Sequence, residues 1–142
     1  MIYTAFTDGS CTPNPGLKCG YSFIITSKEK ILYSFVNFKI YKYKKATSIL
    51  AELTALYKCL MYIKKYKYLP IQIYTDSNYL TQIYNYRAKI KAHSTIWNKI
   101  DKYRNDKIEV IWIKGHTSSN KGNCIADRII YLSKLILENI IN

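Results

Sequence analysis

The sequence predicts an α/β fold: one mixed five-stranded sheet with helices on both faces, in the order β-β-β-α-β-α-α-β-α. Three observations lead there. The N-terminal part carries three strand-like runs separated by short polar or turn-rich segments, the pattern of an antiparallel meander. The remainder alternates helical periodicity with two short strands, and strand–helix–strand crossovers require parallel neighbours. The chain has 142 residues, 49% of them hydrophobic and 22% charged, as in a globular domain with a substantial core.

The elements follow in order. Residues 2–7 alternate Ile2, Thr4 and Phe6 against Tyr3, Ala5 and Thr7, a strand expected to end at Asp8-Gly9-Ser10. Cys11 to Gly16, with Pro13 and Pro15, is a rigid turn-rich loop. Residues 20–26 and 31–38 are two strands joined by the polar turn Ser27-Lys28-Glu29-Lys30. A basic, tyrosine-rich connector spans 39–45. Thr47 or Ser48 then caps a helix running to about Lys65, and Pro70 closes the connection that follows it. Residues 71–75 form a strand ending at Asp76, and Ser77 caps a helix through about Tyr84. Residues 94–104 form another helix, carrying Trp97 and Ile100, and 108–113 form the last strand. A loop from Lys114 to Gly122 leads to a terminal helix with the stripe Ile125, Ile129, Leu132, Ile136 and Ile140. No repeat, low-complexity segment or second domain is expected within residues 1–142.

Several function classes are set aside. No basic n-region precedes an apolar h-region, so no secretory signal is read. The most apolar tail, Ile129 to Ile141, is broken by Lys134 and Glu138, and no stretch reaches the length of a membrane span. Cys11, Cys19, Cys59 and Cys124 contain no C-x-x-C pair, and two distant histidines do not complete a zinc site. Reduced thiols in a cytoplasmic or nuclear protein are the expectation. The net charge of +13 favours a polyanionic partner, nucleic acid first. A chain crowded with Lys, Ile, Tyr and Asn also reflects what an AT-rich genome encodes, so charge alone is modest support.

The acids carry more. Only nine occur, against 22 lysines and arginines. Asp8 and Asp76 stand at the ends of strands expected to be parallel neighbours, each in the phrase strand, Thr-Asp, small residue. Ligands of open α/β sheets bind beyond such strand ends. Singly, each is an ordinary turn or cap residue; together they suggest a shared site. Glu52 lies among Ile49, Leu56, Cys59 and Ile63 on the apolar face of its helix. A carboxylate there needs a lysine partner, a raised pKa or a metal, and a metal shared with Asp8 and Asp76 is preferred. Asp127 falls opposite the terminal stripe, so periodicity alone reads it as exposed. A carboxylate set without nitrogen or sulfur suits hard cations such as Mg²⁺ or Mn²⁺. Such sets hold two ions about 3.5–4 Å apart for in-line phosphodiester displacement.

Together the motifs resemble ribonuclease H of type 1. Thr7-Asp8-Gly9-Ser10-Cys11, followed by Asn14-Pro15-Gly16, looks like its first signature. Thr47-Ser48-Ile49-Leu50-Ala51-Glu52-Leu53 looks like its helix-borne glutamate motif, and Tyr74-Thr75-Asp76-Ser77 its third. Trp112-Ile113-Lys114-Gly115-His116, then Gly122-Asn123 and Ala126-Asp127, is similar to its fourth. The resemblance runs from Tyr3 to about Leu135 and is specific because four motifs occur in order on the expected elements. It implies an endoribonuclease that uses two Mg²⁺ ions, with Mn²⁺ as a substitute, to cut the RNA strand of RNA–DNA hybrids. Asp8, Glu52, Asp76 and Asp127 would be metal ligands, and His116 would assist proton transfer or product release. Asn14, Ser48 and Asn78 would meet the hybrid's minor groove, where 2′-hydroxyls distinguish RNA from DNA. Thr47, His93 and Ser94 would lie near a phosphate of the DNA strand, and Asn123 would complete the substrate-binding set.

Three departures from the family pattern bear on substrate. Ser48-Ile49 replaces the paired asparagines of many bacterial members. The loop from His116 to Asp127 is slightly longer than in common bacterial forms. Asp76 to Trp97 is short, so the basic helix and handle of many members shrink to Tyr86-Arg87-Ala88-Lys89-Ile90-Lys91. Grip must come from this remnant, from Tyr41 to Lys45, or from a partner. The alternatives are a DNA-directed nuclease of the same fold, such as a junction resolvase or transposase core, and a non-catalytic hybrid-binding module. The expected state is a free-standing monomer, which Met1 and the compact ends favour over a module of a reverse transcriptase, with association with a polymerase or replication machinery left open.

Overall fold

The computed structural model describes residues 3–12, 18–27, 30–40, 47–86 and 92–113. Eight elements occur there: β1 (Tyr3–Thr12), β2 (Lys18–Ser27), β3 (Lys30–Ile40), α1 (Ser48–Tyr66), β4 (Ile71–Thr75), α2 (Asn78–Tyr86), α3 (Ser94–Asp101) and β5 (Ile108–Trp112). The strands form one five-stranded sheet in the order β3-β2-β1-β4-β5. The β1–β2 and β2–β3 pairs are antiparallel, while β1–β4 and β4–β5 are parallel. This is the mixed sheet expected, with β1 at its centre.

Alternation assigns the two faces. Ala5 is paired with Ile25 and Ile73, and Ile73 with Val110, so these four share a face. That row joins Leu53, Leu56, Leu60 and Ile63 of α1, Leu80 and Ile83 of α2, and Trp97 and Ile100 of α3 in one buried cluster. The three helices therefore cover the same face. Phe6 and Tyr74, stacked at 5.3 Å between ring centroids, lie on the other. The terminal helix expected over 125–140, and with it the test of a helix on that second face, falls outside the described residues.

Helix ends follow the capping chemistry read from sequence. Thr47 Oγ1 accepts from the Leu50 amide at 3.3 Å and so is the N-cap of α1. Ser48, one residue on, accepts from the Cys11 amide at 3.2 Å and ties the helix start to β1. Lys67 ends α1 in the left-handed region at φ 57°, its amide donating to the Ile63 carbonyl. Lys64 and Lys65 occupy the last turn, where the helix dipole favours cations. Ser77 Oγ accepts from the Leu80 amide at 3.2 Å, capping α2.

Two expectations are corrected. β1 does not end at Asp8-Gly9-Ser10 but continues to Thr12, because β2 pairs with it as far as Thr12 opposite Lys18. The Asp-Gly-Ser phrase is ladder, not turn. The thiols are not all reduced: Cys11 and Cys19 are joined by a disulfide. Antiparallel pairing places these two residues directly opposite one another, a proximity that their linear spacing does not announce. Cys59 is a free, buried thiol on α1, as expected. A smaller difference concerns α3, which ends at Asp101, its chain continuing through turn bonds from Tyr103 and Arg104 rather than as helix to residue 104. Among the described residues no helix is long and apolar enough to cross a membrane.

Candidate metal centre

The parallel pairing of β1 and β4 sets the centre. Its last registered pair is Phe6 opposite Tyr74. Two residues further along, each strand carries an aspartate, so Asp8 and Asp76 leave the end of the pair side by side. The third acid arrives from α1, and a glycine lets it come close. A Cβ on Gly9 would lie 2.3 Å from the Ala51 carbonyl carbon and 2.4 Å from the Glu52 nitrogen. Gly in a strand marks such a close backbone approach. Asp8, Glu52 and Asp76 each place a carboxylate oxygen within 4.8 Å of the others. Asp8 is buried, and Glu52 and Asp76 are half-buried.

Neighbours hold these groups in place. Ala51 and Leu53 beside Glu52 are buried, but Ile49, read as part of the same apolar face, is 37% exposed at the helix start. The turn after β4 is pinned from β5. Trp112 Nε1 donates to the Asp76 carbonyl at 3.1 Å, and the Ile113 amide donates to the Thr75 carbonyl at 2.9 Å. Thr75 Oγ1 accepts from the Ser77 amide at 3.1 Å.

Crowding of like charge shows in the protonation of Glu52. Burial, followed by the charge of Asp76 and a hydrogen bond to it, pushes its carboxyl up to about 8, with Ser77 acting in the opposite direction. Among the described residues no lysine or arginine pairs with the three acids; the ion pair present joins Arg104 to Asp101. A cation is the missing partner the chemistry calls for. All three donors are oxygen, the preference of hard divalent ions. Oxygens about 2.1 Å from a Mg²⁺ lie up to about 4.2 Å apart across the ion. The three carboxylates, already within 4.8 Å, need only small side-chain rotations to reach that span.

The other residues read from sequence fall in several places. Thr47 and Ser48 lie half-buried at the start of α1, one turn before Glu52. Asn78 is exposed as the first residue of α2. His93 is the N-cap of α3 at φ 58°, making no side-chain capping bond, and Ser94 is its first residue. Those two line a groove of about 580 Å³ between α1 and α3, apart from the acids. Asn14, His116, Asn123 and Asp127 lie outside the described residues. Sequence reading took Gly9 for a turn residue and Ser77 for a cap alone. The Thr-Asp-Gly phrase inside an alternating strand was the available signal for Gly9; nothing in the sequence marked the effect of Ser77 on Glu52.

Comparison with known proteins agrees with this geometry. The RNase H family model matches residues 2–132. Ribonuclease H of Francisella tularensis subsp. novicida (strain U112) is 33% identical over 140 residues, covering 88% of this chain and 86% of the relative. Ribonuclease H of Rickettsia bellii (strain RML369-C) is 32% identical over 139 residues, covering 87% and 83%. Among solved structures, LC11-RNase H1 in complex with an RNA/DNA hybrid superposes with a TM-score of 0.76 at 19% identity, covering 91% of this chain and 94% of that one. Prototype foamy virus protease-reverse transcriptase matches at a TM-score of 0.70 and 21% identity, covering 92% of this chain and 20% of that one.

Proposed function

This chain belongs to the ribonuclease H family, and on that premise we propose that it is an endoribonuclease hydrolysing the RNA strand of RNA–DNA hybrids. The observation that carries the reading is the convergence of Asp8, Glu52 and Asp76 at the end of the β1–β4 parallel pair. These acids would hold divalent cations, with Asp127 as a fourth ligand. Bound there, two Mg²⁺ ions, or Mn²⁺ in their place, would supply activated water and charge neutralisation at the phosphodiester and the leaving oxygen.

The chain's own residues have separable tasks. Asp8, on the central strand, is the least mobile ligand. Asp76 is set by the bonds from Trp112 and Ile113 to its turn. Glu52 carries a proton at neutral pH without a cation and yields it on binding. His116 assists proton transfer or product release. Asn14, Ser48, Asn78 and Asn123 meet the hybrid, the first three in the minor groove; Thr47, His93 and Ser94 lie toward a phosphate of the DNA strand. The charge of +13 suits that substrate. A monomer acting in the cytoplasm or nucleus fits the reading, as does association with a polymerase, the setting of the foamy virus fold relative.

A substrate panel tests the activity. Labelled RNA–DNA hybrid, duplex RNA, duplex DNA and a four-way junction are incubated with and without Mg²⁺. Cleavage of RNA in the hybrid alone, and only with the cation, is expected. Preference for the junction or duplex DNA would overturn the hybrid reading in favour of a DNA-directed nuclease.

A further inference from the structure

The groove between α1 and α3 is lined by Leu50, Thr54, Tyr57 and Lys58 of α1 and by His93 and Lys99 on the α3 side, among others. Lys58 Nζ and Lys99 Nζ each lie 5.8 Å from the centroid of the Tyr57 ring. Two ammonium groups from separate helices thus bracket one aromatic ring. The ring attracts each of them, but they repel one another, and no acid lines the groove among the described residues. The first turn of α3 also borders it, carries no acid, and has an N-cap whose side chain makes no capping bond. Helix amides in that position add positive potential. Every charge bordering the groove has one sign.

Position gives this potential a use. The groove starts at Leu50, in the first turn of α1, and Lys58 lies six residues beyond Glu52. Six residues of helix rise about 9 Å. Successive phosphates of one strand advance about 3.4 Å along a duplex axis. The groove therefore reaches roughly two to three nucleotides from the carboxylates. The short span from Asp76 to Trp97 leaves little basic handle in the sequence, so a grip elsewhere has work to do.

We propose that the α1–α3 groove holds the phosphodiester backbone of the substrate two to three nucleotides from the cut, with Lys58 and Lys99 as phosphate-gripping residues beside Tyr57. This rests on the hybrid-cleaving reading, and binding and cleavage are measured side by side to keep the two apart. A fluorescein-labelled RNA–DNA hybrid is titrated by anisotropy across a KCl series with wild type, Lys58→Gln/Lys99→Gln, and the charge-matched control Lys30→Gln/Lys65→Gln, whose lysines lie outside the groove. Cleavage is followed in parallel with Mg²⁺. Each lost phosphate contact lowers the slope of log affinity against log salt by about 0.9. The groove variant should lose about 1.8 of slope and raise KM more than tenfold near 0.1 M salt, with kcat within twofold of wild type. The control should match wild type.

Hybrids in which either the DNA or the RNA strand stops short of the groove identify the strand. With the correct strand shortened, wild type and groove variant should bind equally. An unchanged slope, a slope equal to the control's, or a defect that persists when both strands are shortened would overturn the proposal. Wild-type binding without cleavage would overturn the catalytic reading and leave the groove to be judged by its slope.

Discussion

Replacing Gly9 by alanine tests how the third acid reaches the centre. The added Cβ would stand 2.3 Å from the Ala51 carbonyl carbon, 2.4 Å from the Glu52 nitrogen and 2.6 Å from the Ala51 oxygen. Carbon contacts in packed interiors are about 3.5–4.0 Å, so helix and strand must separate by roughly 1 Å or more. The obstacles are backbone atoms, which no rotamer change can clear. α1 is anchored by Leu53, Leu56, Leu60 and Ile63, all buried, and would move as a body with Glu52 on it. The expected stability loss is about 1–3 kcal/mol, that of an overpacked core. A misplacement of about 1 Å at a reacting centre costs on the order of 10²-fold in rate. Thermal melts and kcat on a labelled hybrid at saturating Mg²⁺, well below the melting temperature, measure both. Leu56→Ala is the control, because this fully buried residue leaves a cavity costing about 2–5 kcal/mol without driving α1 from β1. It should retain most of its activity when folded. Wild-type kcat in Gly9→Ala, or an equal loss in Leu56→Ala, would refute the reasoning.

Two further predictions follow from the same geometry. With its carboxyl at about 8 in the absence of metal, Glu52 must release a proton to bind a cation. Apparent Mg²⁺ affinity should fall about tenfold per pH unit below about 8 and level off above it, as read by calorimetry in buffers of different ionisation enthalpy; a flat profile would contradict the assignment. The sign also fixes stability. The folded metal-free state binds this proton more tightly than the unfolded chain, so metal-free stability declines as pH rises from about 4.5 to about 8. Opening the Cys11–Cys19 bridge, which closes a loop with a sequence separation of 8, should cost roughly 2.5 kcal/mol by loop-closure entropy. Melts with and without a dithiol reductant measure this, and an unchanged melting temperature would count against it.

The legible part of the fold was its local chemistry. Alternation in Tyr3 to Thr7, the caps at Thr47 and Ser77, and the stripe of α1 each follow from nearest-neighbour physics, and the structure bears them out. Asp8 and Asp76 were legible as a pair because both end the same phrase, and the parallel register of β1 and β4 brings them together. Glu52 stood out because a carboxylate on an apolar face demands explanation. Features made by distant contact were not legible. Gly9 resembles a turn glycine until α1 is laid across it. Cys11 and Cys19 become partners only through the β1–β2 register. Lys58 and Lys99 are two among 22 basic residues until two helices bring them to one tyrosine.

The central claim, that Asp8, Glu52 and Asp76 act together through a cation, is tested most directly by Asp76→Asn assayed on an RNA–DNA hybrid at saturating Mg²⁺. The amide keeps the size of the side chain and removes its charge. Because Asp76 is among the groups that push the Glu52 carboxyl upward, its neutralisation should leave the metal-free melting temperature unchanged or raised. Cleavage should be lost, with the far-UV spectrum of the folded protein intact. Retained cleavage at a rate near wild type, in a variant that folds, would contradict the account.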